Sequence, residues 1–327
     1  MMPTLTDRYR GTLIGVHVGD SLGAPFERMG PETVARELAE RRGLYLFDYK
    51  NPWPNEGNGD ILPAGRPTDD SDQTADLAFS FGRVGSLSPG YLRECLRQSV
   101  IHGKSRLWSG QATGAGGTTR KALSDDPTVV REALTSTIGT NGSLMRAAPM
   151  GLFFGPGLWS MLDAERGFYA RTMVWNMSMV THTHRHSLDA CWMYTRVLVT
   201  LLSGHISTGE AWATERPCSA LETRIRSRLS DPYDHPHDPG AWPARGTAEF
   251  SLYVALYALM HSRSFAEGIE MAIRVGGDTD TYAAIAGGLL GARYGYSEIP
   301  EEWRVGILGH DPMIHFANML YAFRMYR

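Results

Sequence analysis

The segment from Gly276 to Tyr294 reads GGDTDTYAAIAGGLLGARY, an acidic start followed by a run of small and apolar residues. The two leading glycines permit positive φ angles and a tight turn. The small residues that follow predict a helix that packs very close to a neighbouring helix. Asp278, Asp280 and Thr281 are therefore predicted at a helix N-terminus, where free N–H groups and the helix dipole favour anionic groups.

A second acidic cluster, Thr68-Asp69-Asp70, lies more than 200 residues earlier and also precedes a helix-like stretch. Simple N-capping explains either cluster taken alone, because Asp and Thr are common caps. If the fold brings the clusters together, four carboxylates face one point and resist joint ionisation. Binding of metal is the simplest relief of this repulsion, and two ions are favoured over one. Carboxylate and hydroxyl oxygens suit Mg²⁺, Mn²⁺ or Ca²⁺ rather than zinc or copper.

The rest of the chain reads as helices joined by loops. Segments 43–67 and 231–246 lack periodicity and are predicted to be loops, and we find no strand pattern, repeat or domain boundary. The sequence thus predicts one all-α domain over residues 1–327, a compact orthogonal helical bundle whose active-site cleft is formed by loops at helix ends. The predicted helices cover residues 9–24, 71–81, 89–102, 163–180, 186–203, 209–229, 248–261, 265–275 and 282–294.

Composition excludes several classes of partner. A net charge of -3 and a pI near 6.4 give no electrostatic case for a nucleic-acid or membrane partner. The three cysteines are widely spaced and form no CxxC, which favours a reducing compartment over a disulfide framework or a zinc knuckle. No signal-like segment or run of 18 apolar residues is found, so we expect a cytoplasmic protein.

Two glycine-rich loops, Gly114-Ala115-Gly116-Gly117 and Asn141-Gly142-Ser143, lie between the acidic clusters. Their backbone N–H groups are unobstructed and suit a pyrophosphate. Ordinary turns are the alternative for either loop alone. Arg146 could add charge to such a site or brace the loop through a salt bridge.

Histidines and aromatic residues give weaker signals. The segment THTHRHS places histidines at 182, 184 and 186, a spacing that would align them for zinc only on a strand, whereas the segment reads as a helix boundary. We therefore do not predict a zinc site. Trp53, Trp108 and Tyr282 are candidates to stack on a base or line a cleft, although packing is the commoner fate of such side chains.

Several segments together resemble the ADP-ribosylglycohydrolase family, whose members include ADP-ribosyl-arginine and ADP-ribosyl-serine hydrolases and the glycohydrolase that activates dinitrogenase reductase. They occur in the family's order between residues 8 and 295. The matching segments are RGTLIGVHVGDSLGAPFE, PTDDSDQT, GAGGTT, GTNGSLMRAAPMG, the Thr-His pair at 181–182, and GGDTDTYAAIAGGLLGARYG.

The resemblance implies an all-α domain with two Mg²⁺ or Mn²⁺ ions and a substrate in which ADP-ribose is linked through C1″ to a protein side chain. It implies that the two glycine loops cradle the diphosphate and distal ribose. It also implies that His182 contacts the adenosine side, and that Glu27 can approach the metals or swing away. The implied metal ligands are Thr68, Asp69, Asp70, Asp278, Asp280 and Thr281.

We therefore expect a metal-dependent hydrolase that removes ADP-ribose from a modified protein, with Asp70 or Glu27 as general base. An arginine linkage is favoured because Glu56, Asp60 and Asp72 could bind a guanidinium; a serine or other linkage, a nucleotide phosphohydrolase and a non-catalytic binding protein are the alternatives. Two departures from relatives are Ser71-Asp72-Gln73 after the first cluster and the lack of Asp or Glu between residues 94 and 125.

Overall fold

Two glycine-lined helices form the centre of the fold. In the computed structural model, α1 (Leu5–Gly23) lies against the helix that begins at Thr279 and ends at Tyr294. Glycines recur every four residues along one face of α1, and a Cβ on Gly15 would overlap the carbonyl oxygen of Gly287. A Cβ on Gly287 would overlap the carbonyl oxygen of Gly15 in return. The small residues thus allow backbone-to-backbone contact, as the sequence predicts.

The structure describes residues 2–52, 60–156, 164–204, 219–231, 234–236 and 246–323. Within these ranges the fold is almost wholly helical and is built around one continuous hydrophobic core. After α1, the helices are α2 (Pro31–Arg41), α3 (Asp69–Val84), α4 (Pro89–Val100), α5 (Gly117–Ala122), α6 (Pro127–Leu134), α7 (Ala148–Phe154), α8 (Ala164–Met179), α9 (Arg185–Leu202), α10 (Ala220–Leu229), α11 (Ala248–His261), α12 (Phe265–Arg274), α13 (Thr279–Tyr294), α14 (Glu301–Gly306) and α15 (His310–Phe323).

Helix α13 is enclosed by its neighbours α1, α9, α11 and α12. Its residues are buried from Thr279 to Ala292, which explains why an all-round apolar segment can be a helix here. Thr279 Oγ1 donates to the Gly23 carbonyl at 2.8 Å, so the start of α13 is held beside the end of α1. No helix among the described residues is long and apolar enough to cross a membrane.

The predicted all-α class is confirmed, with one local correction. Within the expected 43–67 loop, β1 (Tyr49–Lys50) pairs with β2 (Ile61–Leu62) in an antiparallel ladder. Two residues per strand are too few to show an alternating pattern, so the sequence could not reveal this pair. The predicted helix at 209–229 is described only from Ser219 onward, and most of the 231–246 loop lies outside the described residues.

Candidate active site

The first acidic cluster is positioned by a buried aspartate of α1. Thr68 is the N-cap of α3, and its hydroxyl accepts from the Asp70 backbone N–H at 3.4 Å. The same residue donates its N–H and hydroxyl to Asp20, at 2.9 and 2.6 Å. Ser71 adds its N–H and hydroxyl to the same carboxylate, at 3.2 and 2.5 Å. Four donors on Asp20 therefore fix the first turn of α3 against α1.

Asp20 was not among the predicted site residues. Its signal is present in the sequence, because an acidic residue stands within the small and largely apolar stretch from Gly11 to Gly23. Such a residue is completely buried only when hydrogen bonds satisfy it, and Asp20 is 0% exposed.

The second cluster shows that capping alone does not explain these carboxylates. Asp278 occupies the N-cap position of α13, yet its side chain makes no capping hydrogen bond. Instead it accepts from Asn141 Nδ2 at 2.6 Å. Gly276 and Gly277 precede it with φ angles of 69° and 89°, which places the carboxylate at the end of a tight turn.

The two clusters meet. Thr281 Oγ1 lies 3.3 Å from Asp70 Oδ2, across 211 positions of sequence. Ligand atoms of Asp20, Asp70 and Asp280 lie within 4.8 Å of one another, and so do those of Glu27, Asp278 and Asp280. Asp280 belongs to both groups, so the carboxylates form two adjoining triads that share one member.

Burial and mutual repulsion act on these groups together. Burial, followed by the charges of neighbouring carboxylates, raises the pKa of Asp69, Asp70 and Asp280 well above the usual value. The pKa values of Asp20 and Asp278 are also raised by burial.

Asp70 Oδ1 is buried and accepts no hydrogen bond from any described residue. A lone pair of this kind among hard oxygen donors fits a divalent cation such as Mg²⁺ or Mn²⁺.

A cleft of about 240 Å³ opens above the carboxylates. It brings together eleven of the predicted residues: Glu27 and ten others from both acidic clusters, both glycine loops and the Thr-His pair. Thr68 and Asp70 lie beneath it, almost completely buried. The predicted residues that line it are Glu27, Asp69, Gly114, Gly116, Gly117, Asn141, Gly142, His182, Asp278, Asp280 and Thr281.

Two predicted residues face elsewhere. The Ser143 side chain is fully buried and accepts a hydrogen bond from Ser178 Oγ at 2.8 Å. Ala115 lines a separate small cavity on the other side of its loop, and its carbonyl accepts from Arg120 Nε at 2.9 Å. Only the backbone of these two residues remains available to a ligand in the cleft.

The two glycine loops differ in what surrounds them. A Cβ at Gly116 or Gly117 would meet no atom within 4 Å, so these glycines border open space. A Cβ at Gly142 would lie 2.9 Å from both His182 Cε1 and Thr119 Oγ1. Crowding by His182 and Thr119 explains why position 142 requires a glycine. No contact with the described residues requires a glycine at position 116.

His182 is buried against the cleft and neutral. Burial, with a smaller effect from Arg146, lowers its pKa to about 3. His184 instead caps α9 by accepting from the His186 N–H at 3.2 Å. No group of three possible metal ligands within the described residues includes a histidine.

The residues predicted to bind the acceptor guanidinium or to stack on a base do not line the cleft or lie outside the described residues. Asp72 is buried, accepts from Ser105 Oγ at 2.5 Å, and does not line the cleft. It follows Asp70 by two positions on a helix and so points to another face. Asp60 is exposed, while Glu56 and Trp53 lie outside the described residues. Tyr282 is fully buried and packs edge-on against Phe250, and neither it nor Trp108 lines the cleft.

Comparisons with known proteins give the family and the fold of the chain. The profile of the family described as ADP-ribosylglycohydrolase matches residues 1–326. The chain is 26% identical over 320 residues to the ADP-ribosylarginine hydrolase Tri1 of Serratia proteamaculans (strain 568), covering 96% of this chain and 79% of that protein. It is 24% identical over 310 residues to the ADP-ribosyl-[dinitrogen reductase] glycohydrolase of Rhodospirillum rubrum, covering 92% and 90%. A solved structure described as an ADP-ribosylglycohydrolase-related protein complex is similar with a TM-score of 0.67 and 26% identity, over 98% of each chain.

Proposed function

The chain belongs to the ADP-ribosylglycohydrolase family, and on that premise we propose that it is a metal-dependent hydrolase that releases ADP-ribose from ADP-ribosylated arginine side chains. The observation that carries this proposal is the meeting of the two acidic clusters at the floor of one cleft. Neither a structural protein nor a simple binding module needs five buried carboxylates with raised pKa values in one place.

The residues that would hold two Mg²⁺ or Mn²⁺ ions are Thr68, Asp69, Asp70, Asp278, Asp280 and Thr281, with Asp280 shared between the two carboxylate triads. When bound, such ions would lower the pKa of a coordinated water. The buried Asp20 keeps this ligand set in place by holding Thr68 and Ser71 at the start of α3.

The cleft walls suit the remainder of ADP-ribose. Gly116 and Gly117 border open space and begin α5, whose first N–H groups point toward its N-terminal end. These N–H groups would bind the pyrophosphate, and the backbone at Asn141, Gly142 and Ser143 would complete the cradle. His182 lies on the same wall as Gly142 and would contact the adenosine side.

Glu27 is the better candidate for general base. It lines the cleft, and one of its oxygens lies within 4.8 Å of ligand atoms of Asp278 and Asp280. Asp70 is 1% exposed and its Oδ2 faces the hydroxyls of Thr68 and Thr281. In the proposed reaction Glu27 accepts a proton from the attacking water, whose oxygen bonds to C1″. The bond from C1″ to the guanidine nitrogen breaks, and the leaving nitrogen takes up the proton held by Glu27, which returns Glu27 to its carboxylate form. A positioned base of this kind contributes about 10²–10⁴-fold.

The arginine linkage is supported by charge and by similarity. The six carboxylates at the floor (Asp20, Glu27, Asp69, Asp70, Asp278 and Asp280) outnumber the four positive charges of two divalent ions, and the excess negative charge would favour a guanidinium leaving group over a neutral serine hydroxyl. Asp72, which the sequence analysis offered as a guanidinium-binding residue, does not support the arginine linkage, because it is buried away from the cleft. Two relatives from different bacteria carry the name ADP-ribosylarginine hydrolase.

The linkage is tested with two peptides of one sequence, mono-ADP-ribosylated on arginine in one and on serine in the other. We expect release of free ADP-ribose from the arginine-linked peptide in Mg²⁺ or Mn²⁺. Turnover of the serine-linked peptide alone would contradict the arginine assignment and leave the hydrolase assignment standing. Failure to release ADP-ribose from either peptide, or release of AMP instead, would contradict the proposed reaction.

A further inference from the structure

A chain of buried hydrogen bonds runs from the acidic floor of the cleft to His182 on its opposite wall. Gln73 Nε2 donates to Asp69 Oδ2 at 2.7 Å. Arg146 Nη1 donates to Gln73 Oε1 at 2.8 Å, and Arg146 Nη2 donates to Thr181 Oγ1 at 2.7 Å. Thr181 Oγ1 lies 2.7 Å from His182 Nδ1.

Every member of this chain is shielded from water. Gln73, Arg146 and Thr181 are 0% exposed, and His182 is 3% exposed. Arg146 Nη1 also donates to the Gly142 carbonyl at 3.0 Å, so the same guanidinium holds the second glycine loop. Burial lowers the pKa of Arg146 to about 10, which still leaves it a pure donor at neutral pH. Hydrogen bonds in such surroundings hold their partners to one geometry, because breaking one leaves a buried group unsatisfied.

The direction of each bond follows from Arg146, which can only donate. Gln73 must turn its carbonyl oxygen to Arg146, which leaves its NH₂ group for Asp69. Thr181 Oγ1 accepts from Arg146 and has one proton of its own to donate. Among the described residues, His182 Nδ1 is the one other atom within hydrogen-bond distance of this hydroxyl, so donation to Nδ1 is the arrangement that leaves no buried hydroxyl proton unpaired. His182 Nδ1 is therefore the nitrogen without hydrogen, and Nε2 carries the N–H.

The Nε2 edge of His182 lies beside Gly142 on the wall of the cleft. A Cβ at Gly142 would lie 3.1 Å from this atom, and His182 lines the cleft beside Gly142. We propose that Arg146 and Thr181 are positioning residues that lock His182 as the Nε2–H tautomer, so that it presents one hydrogen-bond donor to an oxygen of the bound ligand. The ligand group is an acceptor oxygen, such as a ribose oxygen or a phosphate oxygen. In naming ADP-ribose as that ligand, the inference rests on the proposed function; the tautomer itself does not.

Gln73 connects Arg146 to Asp69, at the end of the hydrogen-bond chain opposite His182. It follows the first acidic cluster, in the segment Ser71-Asp72-Gln73. An amide can donate to a carboxylate with one atom and accept from a guanidinium with the other, which an apolar side chain of similar size cannot do. The orientation of Asp69 at the floor and that of His182 on the wall are thus tied to one arginine.

The test begins with the tautomer, read from long-range ¹H–¹⁵N spectra of the uniformly ¹⁵N-labelled full chain at neutral pH without ADP-ribose. The chain has 11 histidines, so the His182 signals are assigned by their loss in His182→Gln. The variants are Thr181→Val, which removes the hydroxyl at nearly constant shape, and Thr181→Ser, which restores it. The matched control is Thr195→Val, because Thr195 is equally buried and its hydroxyl donates only to the Cys191 carbonyl of its own helix.

We expect wild type, Thr181→Ser and Thr195→Val to show a neutral His182 with hydrogen on Nε2. Thr181→Val should show a mixture of tautomers. Calorimetric titration with ADP-ribose in Mg²⁺ buffer should show about threefold to tenfold weaker binding for Thr181→Val, the effect expected for one misdirected hydrogen bond. Thr181→Ser should bind like wild type.

Hydrogen on Nδ1 in the wild type, or a tautomer unchanged by Thr181→Val, would overturn the inference. A shifted tautomer with unchanged ADP-ribose affinity would overturn the role of Nε2–H in binding. If wild type itself does not bind ADP-ribose, the proposed function fails, while the tautomer measurement still decides whether the positioning network exists.

Discussion

Replacing Gly116 by valine separates ligand binding from folding. A Cβ at this position would meet no protein atom within 4 Å, and Gly116 has no positive φ angle. The added side chain should therefore leave the fold intact and occupy space at the edge of a cleft of only about 240 Å³. If the pyrophosphate rests on this loop, the valine blocks its approach to the backbone N–H groups of Gly116 and Gly117.

The expected loss follows from the bonds removed. A hydrogen bond to a charged group contributes about 1.5–3 kcal/mol, so losing one should weaken ADP-ribose binding by roughly 10- to 100-fold. The measurement is calorimetric titration with ADP-ribose in Mg²⁺ buffer, together with thermal melting and metal content. The matched control is Gly90→Val in α4, where a Cβ also meets nothing within 4 Å and which is not part of the cleft.

Gly142→Val would not separate ligand binding from folding. Its Cβ would lie 2.9 Å from His182 and Thr119, so it should lower stability as well as binding. Wild-type affinity for ADP-ribose in Gly116→Val would refute the phosphate role of this loop and return it to the class of ordinary turns. Equal losses of affinity in Gly116→Val and Gly90→Val would refute the reasoning from the cleft.

Three further outcomes are expected. Asp70→Asn and Asp278→Asn should each lower activity by several orders of magnitude. The double variant should be barely less active than either single variant, because the two clusters act as one unit. Losses that add in the logarithm of the rate would mean that the clusters form separate sites. Between about pH 5 and about pH 8, metal-free wild type should lose thermal stability relative to metal-free Asp69→Asn. Burial raises the pKa values of Asp69, Asp70 and Asp280, so the fold is destabilised as these groups ionise with rising pH, and the asparagine removes one of them. The comparison between the two proteins cancels the buried His17 and His182, whose lowered pKa values act in the opposite direction; an equal change of melting temperature in both proteins in EDTA would count against this. Gly287→Ala should lower the free energy of unfolding by at least about 1–3 kcal/mol, because its Cβ overlaps the Gly15 carbonyl oxygen; urea unfolding equal to that of Gly90→Ala would contradict the packing.

Much of this site could be predicted because its chemistry is local in sequence. Asp69 and Asp70 lie together at one helix start, and Asp278 and Asp280 lie together at another. The small residues of α1 and α13 could be read as a close helix contact, and this contact brings Asp20 of α1 beside the second cluster.

The errors concern side-chain direction and tertiary partners. Asp72 looked available to an acceptor guanidinium because it is near the first cluster in sequence, yet helical rotation turns it toward Ser105. Ser143 was grouped with the second glycine loop for its backbone N–H, and the direction of its hydroxyl toward Ser178 in the core could not be read from the sequence. Asp20 was overlooked because its importance depends on four donors from residues about 50 positions away. Partners of this kind cannot be read from periodicity.

The central claim is that the two acidic clusters form one divalent-cation site for hydrolysis of ADP-ribosylated protein. Its most direct test is release of ADP-ribose from an arginine-linked peptide by protein whose metal content is known from elemental analysis. The account predicts no turnover after exhaustive treatment with EDTA and recovery on addition of Mg²⁺ or Mn²⁺, with about two ions bound per chain. Full turnover by protein shown to be free of metal would contradict it.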